Sequence, residues 1–160
     1  PSYFNSLESM TDEMRAGMES VAAFAGVDGT GGIQGVIPVG DSFLRAVQEG
    51  VATRNMYAPD AATDGLIDLW FNDGTHASVF GSYLSALTIF GSVTGLDPQS
   101  LGFHEQAAKD LGISGGAAYR LQQIAAAELG FQVVPEPSSL ALGGLALAML
   151  GVSRRRQPGR

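Results

Sequence analysis

Cysteine is absent from this 160-residue chain, which excludes disulfide bonds and thiolate metal sites. Basic residues are few: there are nine against 16 acidic ones, and four of the nine (Arg154, Arg155, Arg156 and Arg160) lie in the last seven positions. The first 153 residues therefore carry a net charge of −11, from five basic and 16 acidic side chains. Because such a body repels phosphate backbones, we expect no nucleic-acid partner.

We also expect no export segment at the start of this sequence. The chain begins at Pro1 rather than Met, and no charged and apolar leader opens it. We therefore expect that an N-terminal piece has been removed or that the chain is a fragment. Its length allows one domain with a modest core, followed by a tail.

Residues 4–25 are predicted to form an amphipathic helix, because apolar side chains recur at steps of three and four. This apolar stripe consists of Leu7, Met10, Met14, Met18, Val21 and Ala25. We interpret the stripe as core packing, with a binding surface as the alternative. A glycine-rich connection follows at 26–35, and since it has no lysine nearby we expect no phosphate-binding loop there.

Two short apolar runs, 36–39 and 66–71, are typical of buried strands in a parallel sheet. The first is followed by Gly40 and Asp41 and then by an apolar-periodic helix. A strand, a tight turn and a helix in this order form half of an α/β unit, so the sequence predicts an α/β fold.

Three more helices are predicted after the second run. Ser78 is a suitable N-cap for the first helix, which would bury its apolar side chains at helical spacing (Phe80, Tyr83, Leu84, Leu87 and Phe90). The other two are predicted over about 100–111 and about 115–129, the latter capped by Ser114.

The chain changes character after Phe131. Pro135, Glu136 and Pro137 cannot be helical, because each proline fixes φ and biases its predecessor toward extended geometry. An uncharged apolar stretch follows over 140–152, and an arginine cluster closes it. A helix over about 138–153 would span roughly 24 Å, and bilayer thinning with arginine snorkelling would fit it to a hydrocarbon core of about 30 Å. We therefore predict a weak membrane anchor, with a buried core helix as the alternative.

This tail closely resembles the PEP-CTERM sorting domain. The resemblance rests on Pro135, Glu136 and Pro137, the apolar stretch, and the cluster of Arg154, Arg155 and Arg156. It implies a Gram-negative host, an exosortase-type membrane protease as partner, and cleavage near the Pro-Glu-Pro. The arginines mark the cytoplasmic end of the helix, so the body would be exported, transiently anchored in the inner membrane and then sorted to the surface.

Asp73 and His76 are the candidate catalytic residues of the body. They lie three apart in the turn Asn72-Asp73-Gly74-Thr75-His76, between a predicted strand and a predicted helix. A carboxylate in this position can fix the tautomer of the imidazole and stabilise the imidazolium that forms when histidine takes a proton. The alternatives are a carboxylate that only caps a turn beside an ordinary histidine, and a metal half-site. We expect no metal and no cofactor, since only His104, predicted to face solvent, could add a ligand.

The run 36–129 resembles the C-terminal region of SGNH/GDSL-type hydrolases. The matching pieces are VIPVGDSFLRAV, DLWFNDGTHASVFGSYLSALTIFGSVTG, and LGIS followed by AAYRLQQIAAAEL. The resemblance implies the last strands and helices of a three-layer α/β/α, flavodoxin-like sheet. It also implies that Asp73 and His76 match the family's Asp-x-x-His motif. Trp70 and Phe71 flank this motif, and we interpret them as core, with a substrate pocket as the alternative.

Ser42 stands in Gly40-Asp41-Ser42-Phe43, which looks like the family's nucleophile motif. In the family, however, that motif opens the domain, and glycine and asparagine blocks for the oxyanion lie between it and Asp-x-x-His. No such blocks stand here. We therefore interpret Ser42 as a look-alike and expect the nucleophile and the oxyanion donors upstream of Pro1.

The sequence thus predicts three parts: a partial hydrolase-like domain over 1–130, a proline-containing linker over 131–137, and a sorting tail over 138–160. The complete protein would be an exported serine esterase acting on an ester or an acylated glycan or lipid. These 160 residues alone would be inactive, because acyl transfer needs a nucleophile, a base and an oxyanion hole together. The alternative is a non-catalytic envelope or extracellular-matrix protein.

Overall fold

The computed structural model describes residues 4–27, 33, 35–61 and 63–133. Within these residues the chain forms α-helices joined by turns and loops. The helices are α1 (Leu7–Val27), α2 (Val39–Gln48), α3 (Val79–Thr94), α4 (Gln106–Asp110) and α5 (Gly115–Glu128), with a 3₁₀ turn at Pro98–Leu101.

α3 and α5 form the centre of the fold, and both begin as the sequence predicts. The Ser78 hydroxyl accepts hydrogen bonds from the backbone N–H groups of Phe80 and Gly81, and Ser114 caps Ala117 in the same way. These side chains satisfy N–H groups that the first turn of a helix leaves without partners. α3 ends at Thr94 and is capped by Gly95, whose φ of 69° is the left-handed conformation that favours glycine.

The core lies where α2, α3 and α5 meet. Leu84, Leu121 and Ile124 are almost completely buried there, and burial of each such side chain stabilises the fold by roughly 1.5–3 kcal/mol. Gly81 permits a close approach: a Cβ at this position would lie 2.2 Å from the carbonyl oxygen of Leu69. α3 therefore packs directly on the backbone that leads into the Asp73 turn.

The predicted core role of the apolar stripe on α1 is wrong for its central part: Ala25 is buried and Leu7 and Met10 are half-buried, but the stripe's side chains between them are exposed. Met14, Met18 and Val21 are each more than half exposed. α1 contacts the body through its N-terminal half, where Arg15 pairs with Asp41 at 2.6 Å and the Glu8 carboxylate accepts from Arg54. Periodicity sets which side chains share a face, but burial also requires a neighbour that covers that face.

The predicted α/β fold class is also wrong. The described residues contain no strand or sheet, so they do not form the last strands of a three-layer α/β/α sheet. Run 36–39 is coil up to Pro38, and α2 begins at Val39. Run 66–71 is extended but makes only isolated bridges, Ala52 with Ile67 and Trp70 with Ala77. Short apolar runs are ambiguous because a sheet needs ladder partners that the run itself does not specify.

The predicted helix over 100–111 is divided in two. Gly102 has φ 70° and ends the 3₁₀ turn, and α4 begins only after Glu105, whose carboxylate caps Ala107 and Ala108. A left-handed glycine is incompatible with a continuous helix.

The predicted linker beyond Val133, the predicted apolar helix over 138–153 and the arginine cluster lie outside the described residues. Among the residues that are described, no helix has both the length and the apolar character needed to span a membrane.

Candidate active site

The loop between the extended run and α3 is a tight, hydrogen-bonded turn. Phe71 N–H donates to the His76 carbonyl at 2.8 Å, and Gly74 N–H donates to the Phe71 carbonyl at 2.9 Å. At its base, Ser78 N–H donates to the Leu69 carbonyl at 2.9 Å, and the Ser78 hydroxyl donates to the Asp68 carbonyl at 2.6 Å. Ser78 therefore fixes the turn to the start of α3.

The turn brings the Asp73 carboxylate and the His76 imidazole together. Asp73 Oδ2 lies 2.8 Å from His76 Nδ1. Asp73 Oδ1 accepts the backbone N–H groups of Thr75, at 2.9 Å, and of His76, at 3.0 Å. One carboxylate thus shapes the turn with one oxygen and contacts the imidazole with the other.

These hydrogen bonds favour the ionised form of the Asp73 carboxyl group. The backbone N–H and the ring of His76, together with the backbone N–H of Thr75, lower the pKa of Asp73. An ionised carboxylate can only accept, so the proton on the His76 ring is held at Nδ1. Nε2 of the neutral ring then carries a lone pair. The His76 side chain is 75% exposed, so this nitrogen is accessible as a base.

Gly74 lies under Tyr57. Its φ of 68° is left-handed, and a Cβ at this position would lie 1.8 Å from the Tyr57 hydroxyl oxygen. The backbone conformation therefore favours glycine, and any other residue would also displace the Tyr57 side chain. The Tyr57 ring is itself 66% exposed beside the turn.

An open cavity of about 890 Å³ surrounds the pair. Its lining comprises the Asp73–His76 pair, two aromatic side chains and small or uncharged polar groups (Trp70, Phe71, Asn72, Asp73, His76, Ala77 and Ser82). Of these, Asn72, Ala77 and Ser82 were not predicted as site residues. Ser82 stands one helical turn after the Ser78 cap, so the predicted start of α3 was enough to place it near the turn.

Trp70 and Phe71 are surface residues, and their predicted core role is wrong. They are 42% and 55% exposed. Phe43 of α2 contacts the Trp70 ring edge-on, with the ring centroids 5.5 Å apart. This contact gives the indole support from one side while it remains open to solvent.

Ser42 and His104 lie apart from the cavity lining. Ser42 is fully buried, and its hydroxyl accepts a hydrogen bond from Thr88 at 2.8 Å. A hydroxyl sealed in this way cannot reach a substrate, which agrees with its interpretation as a look-alike. His104 is exposed, as predicted.

Comparison with known proteins identifies the C-terminal region. Residues 133–157 match the family model described as the PEP-CTERM protein-sorting motif. The match covers the Pro-Glu-Pro, the apolar stretch and the arginine cluster that the sequence singles out, so that prediction is confirmed. No curated protein and no solved structure matches the chain. The matched motif identifies an exported, surface-sorted protein, and none of the comparisons supports the resemblance to SGNH/GDSL hydrolases.

Proposed function

We propose that Asp73 and His76 form the acid–base pair of an exported hydrolase that cleaves ester bonds. The observation that carries this proposal is the 2.8 Å contact between Asp73 Oδ2 and His76 Nδ1 in an open cavity, with the opposite ring nitrogen accessible. A carboxylate, an imidazole and a free Nε2 in this order are the arrangement that activates hydroxyl nucleophiles.

In this mechanism His76 moves one proton twice. Nε2 takes the proton of a serine hydroxyl as its oxygen attacks the ester carbonyl and the carbon–oxygen bond forms. The resulting imidazolium is stabilised by the Asp73 carboxylate, which stays ionised. Nε2 then gives the proton to the leaving alcohol as the ester bond breaks. Water, deprotonated in the same way, releases the acid and restores the serine.

The serine and the oxyanion donors are proposed to lie outside the described residues. Ser42 is unsuitable because it is buried and hydrogen-bonded to Thr88. Ser82 lines the same cavity as His76, but no hydrogen bond joins its hydroxyl to the His76 ring in the described part of the chain. We therefore expect the described part alone to be inactive toward esters.

The sorting tail sets where this activity would operate. We propose that an exosortase-type protease recognises Pro135, Glu136 and Pro137 and removes the apolar stretch. Before cleavage, Arg154, Arg155 and Arg156 would hold the tail at the cytoplasmic face of the inner membrane. The substrate would then be an ester or an acylated glycan of the envelope or the cell surface.

A second candidate is a non-catalytic envelope protein. The observation that favours it is the double role of Asp73, whose Oδ1 accepts two backbone N–H groups and so shapes the turn without any catalysis. In this interpretation His76 only completes the turn, and no reaction takes place in the cavity.

Hydrolysis of p-nitrophenyl acetate by the full-length protein discriminates between the two. We expect His76→Ala to reduce the rate about 100-fold, the contribution typical of general acid–base catalysis. His104→Ala is the matched control, because His104 is the other histidine of the chain and is also exposed.

An equal rate for wild type and His76→Ala would reject the catalytic proposal and favour the envelope protein. Equal losses in His76→Ala and His104→Ala would assign the activity to exposed imidazole in general, which also rejects a role for the pair.

A further inference from the structure

The cavity beside Asp73 and His76 carries an aromatic surface that the acid–base chemistry does not use. We propose that Trp70 and Phe71 form a binding platform for an uncharged polysaccharide, so that the ester presented to His76 is an acyl group on a neutral sugar chain. This inference rests on the proposed function for the reaction, but the platform itself would bind the sugar with or without catalysis.

The exposure of the two rings is the first argument. Trp70 and Phe71 are consecutive, 42% and 55% exposed, and both line the cavity. A contiguous exposed apolar patch is typical of a binding site, because a partner that covers it removes apolar surface from water. Phe43 supports the Trp70 ring from one side, so the indole is held in place rather than free to fold inward.

The chemistry of the lining selects the ligand. The faces of aromatic rings are electronegative, and the C–H groups on the face of a pyranose ring are weakly positive, so the two stack. Asn72 and Ser82 add an amide and a hydroxyl that match sugar hydroxyl groups. Tyr57, 66% exposed against the same turn, extends the aromatic surface beyond the cavity.

Charge excludes an anionic ligand. None of the seven lining residues in the described part of the chain is lysine or arginine, and Asp73 is ionised. The body as a whole is strongly acidic. Uronic acid polymers and nucleic acids, whose bases also stack on aromatic rings, would meet a repulsive surface without a compensating cation.

The openness of the cavity argues against a lipid. An acyl chain gains free energy by leaving water completely, which requires an enclosed apolar channel. Here both rings retain large exposed fractions beside polar groups, so a chain lying on them would stay half hydrated. A flat sugar ring needs contact on one face only, and the sorting motif sends the protein to the surface, where such polymers lie.

Tryptophan fluorescence of the full-length protein gives a direct test, because Trp70 is the single tryptophan of the 160 residues. The probes are acetylated glucomannan, the same polymer after alkaline deacetylation, alginate, and micelles of dihexanoyl phosphatidylcholine. The contribution of Trp70 is the difference between the emission of the wild-type protein and that of Trp70→Phe. We expect both glucomannans to shift the Trp70 emission to shorter wavelength with saturation, and alginate and micelles to leave it unchanged.

Variants then locate the platform. Phe71→Ala should weaken glucomannan binding about tenfold, the loss expected for a central aromatic contact. Phe24→Ala is the matched control, since Phe24 is 68% exposed on α1, away from the cavity lining, and this variant should bind as wild type does. His76→Ala should still bind glucomannan, because it removes the base and leaves both rings.

The absence of any shift with both glucomannans would overturn the inference, and so would a shift with micelles or alginate in their place. Equal weakening by Phe71→Ala and Phe24→Ala would also overturn it. The two proposals can fail separately. If the protein binds glucomannan but its hydrolysis does not depend on His76, only the catalytic pair is rejected. If hydrolysis of p-nitrophenyl acetate depends on His76 but glucomannan does not bind, only the platform is rejected.

Discussion

Thr88 of α3 donates a 2.8 Å hydrogen bond to the hydroxyl of Ser42 on α2, and both side chains are fully buried. The Thr88 hydroxyl also lies 2.9 Å from the Leu84 carbonyl one turn earlier. Ser42 therefore serves as an interhelical contact in the core. The motif Gly40-Asp41-Ser42 resembles a nucleophile motif in sequence, but the structure gives Ser42 a packing role.

Ser42→Ala should reduce stability and leave catalysis intact. Loss of one buried hydrogen bond costs about 1 kcal/mol, because the Thr88 hydroxyl keeps the Leu84 carbonyl as a partner. Urea denaturation measures the loss, and ester hydrolysis per folded molecule of the full-length protein measures catalysis. A rate that falls as far as that of His76→Ala would return Ser42 to the mechanism.

Asp73→Asn should lower ester hydrolysis by the full-length protein about 100-fold. The amide oxygen can still accept the backbone N–H groups of the turn, but the amide presents an N–H donor or a neutral oxygen to His76, so the imidazolium loses its stabilising charge. Asp64→Asn is the control: Asp64 accepts the Leu66 backbone N–H in a similar turn that has no histidine. Identical rates for both variants would contradict the role of Asp73.

Gly81→Ala should destabilise the protein by about 1–3 kcal/mol, as overpacking does. The new methyl would lie 2.2 Å from the Leu69 carbonyl, which also anchors the Ser78 end of the turn. Gly116→Ala in α5 is the matched control, since nothing lies within 4 Å of its Cβ position, and it should gain about 0.5 kcal/mol. Thermal denaturation of both variants checks the pair, and a neutral Gly81→Ala would refute the close approach.

Tyr83 should make the protein sensitive to alkali. Burial raises the pKa of Tyr83 to about 12. The hydrogen bond that Gln122 donates to the phenol lowers this pKa, and the nearby Glu105 carboxylate raises it. The folded state thus favours the neutral phenol, and stability is constant below the ordinary pKa of about 10 and falls as pH rises from about 10 to about 12. Urea denaturation across this pH range measures the fall.

Tyr83→Phe should remove most of this alkaline loss while costing about 1 kcal/mol at neutral pH, because Gln122 keeps only the Gly102 carbonyl as a partner. Tyr57→Phe is the control, since Tyr57 is 66% exposed. An unchanged alkaline profile in Tyr83→Phe would assign the loss to other groups.

Processing of the tail can be measured by intact mass. In a host that has an exosortase-type protease, the mature protein should lack the residues after about Pro137. Glu136→Ala together with Pro137→Ala should leave the tail attached, because the recognition sequence is gone. A wild-type mass that includes Arg154, Arg155 and Arg156 would show that the tail is not cleaved.

The sequence by itself determined the features that depend on neighbours along the chain. The sorting motif at 133–157 is a linear pattern, so it was recognised without coordinates. Ser78 and Ser114 cap helices through bonds to groups two or three residues away, and the Asp73–His76 contact closes within a single turn. Such contacts form wherever the local backbone permits, because their entropy cost is confined to a few residues.

Only the tertiary structure decided burial and strand pairing. The apolar run 66–71 forms isolated bridges rather than a sheet, and Met14, Met18 and Val21 of the α1 stripe are exposed. Ser42 lies in the core, whereas Trp70 lies at the surface. These results depend on partners outside the pattern itself, such as Thr88 for Ser42, and a local pattern does not encode whether such a partner is present. Hydrophobic free energy is gained only when such a partner removes the side chain from water.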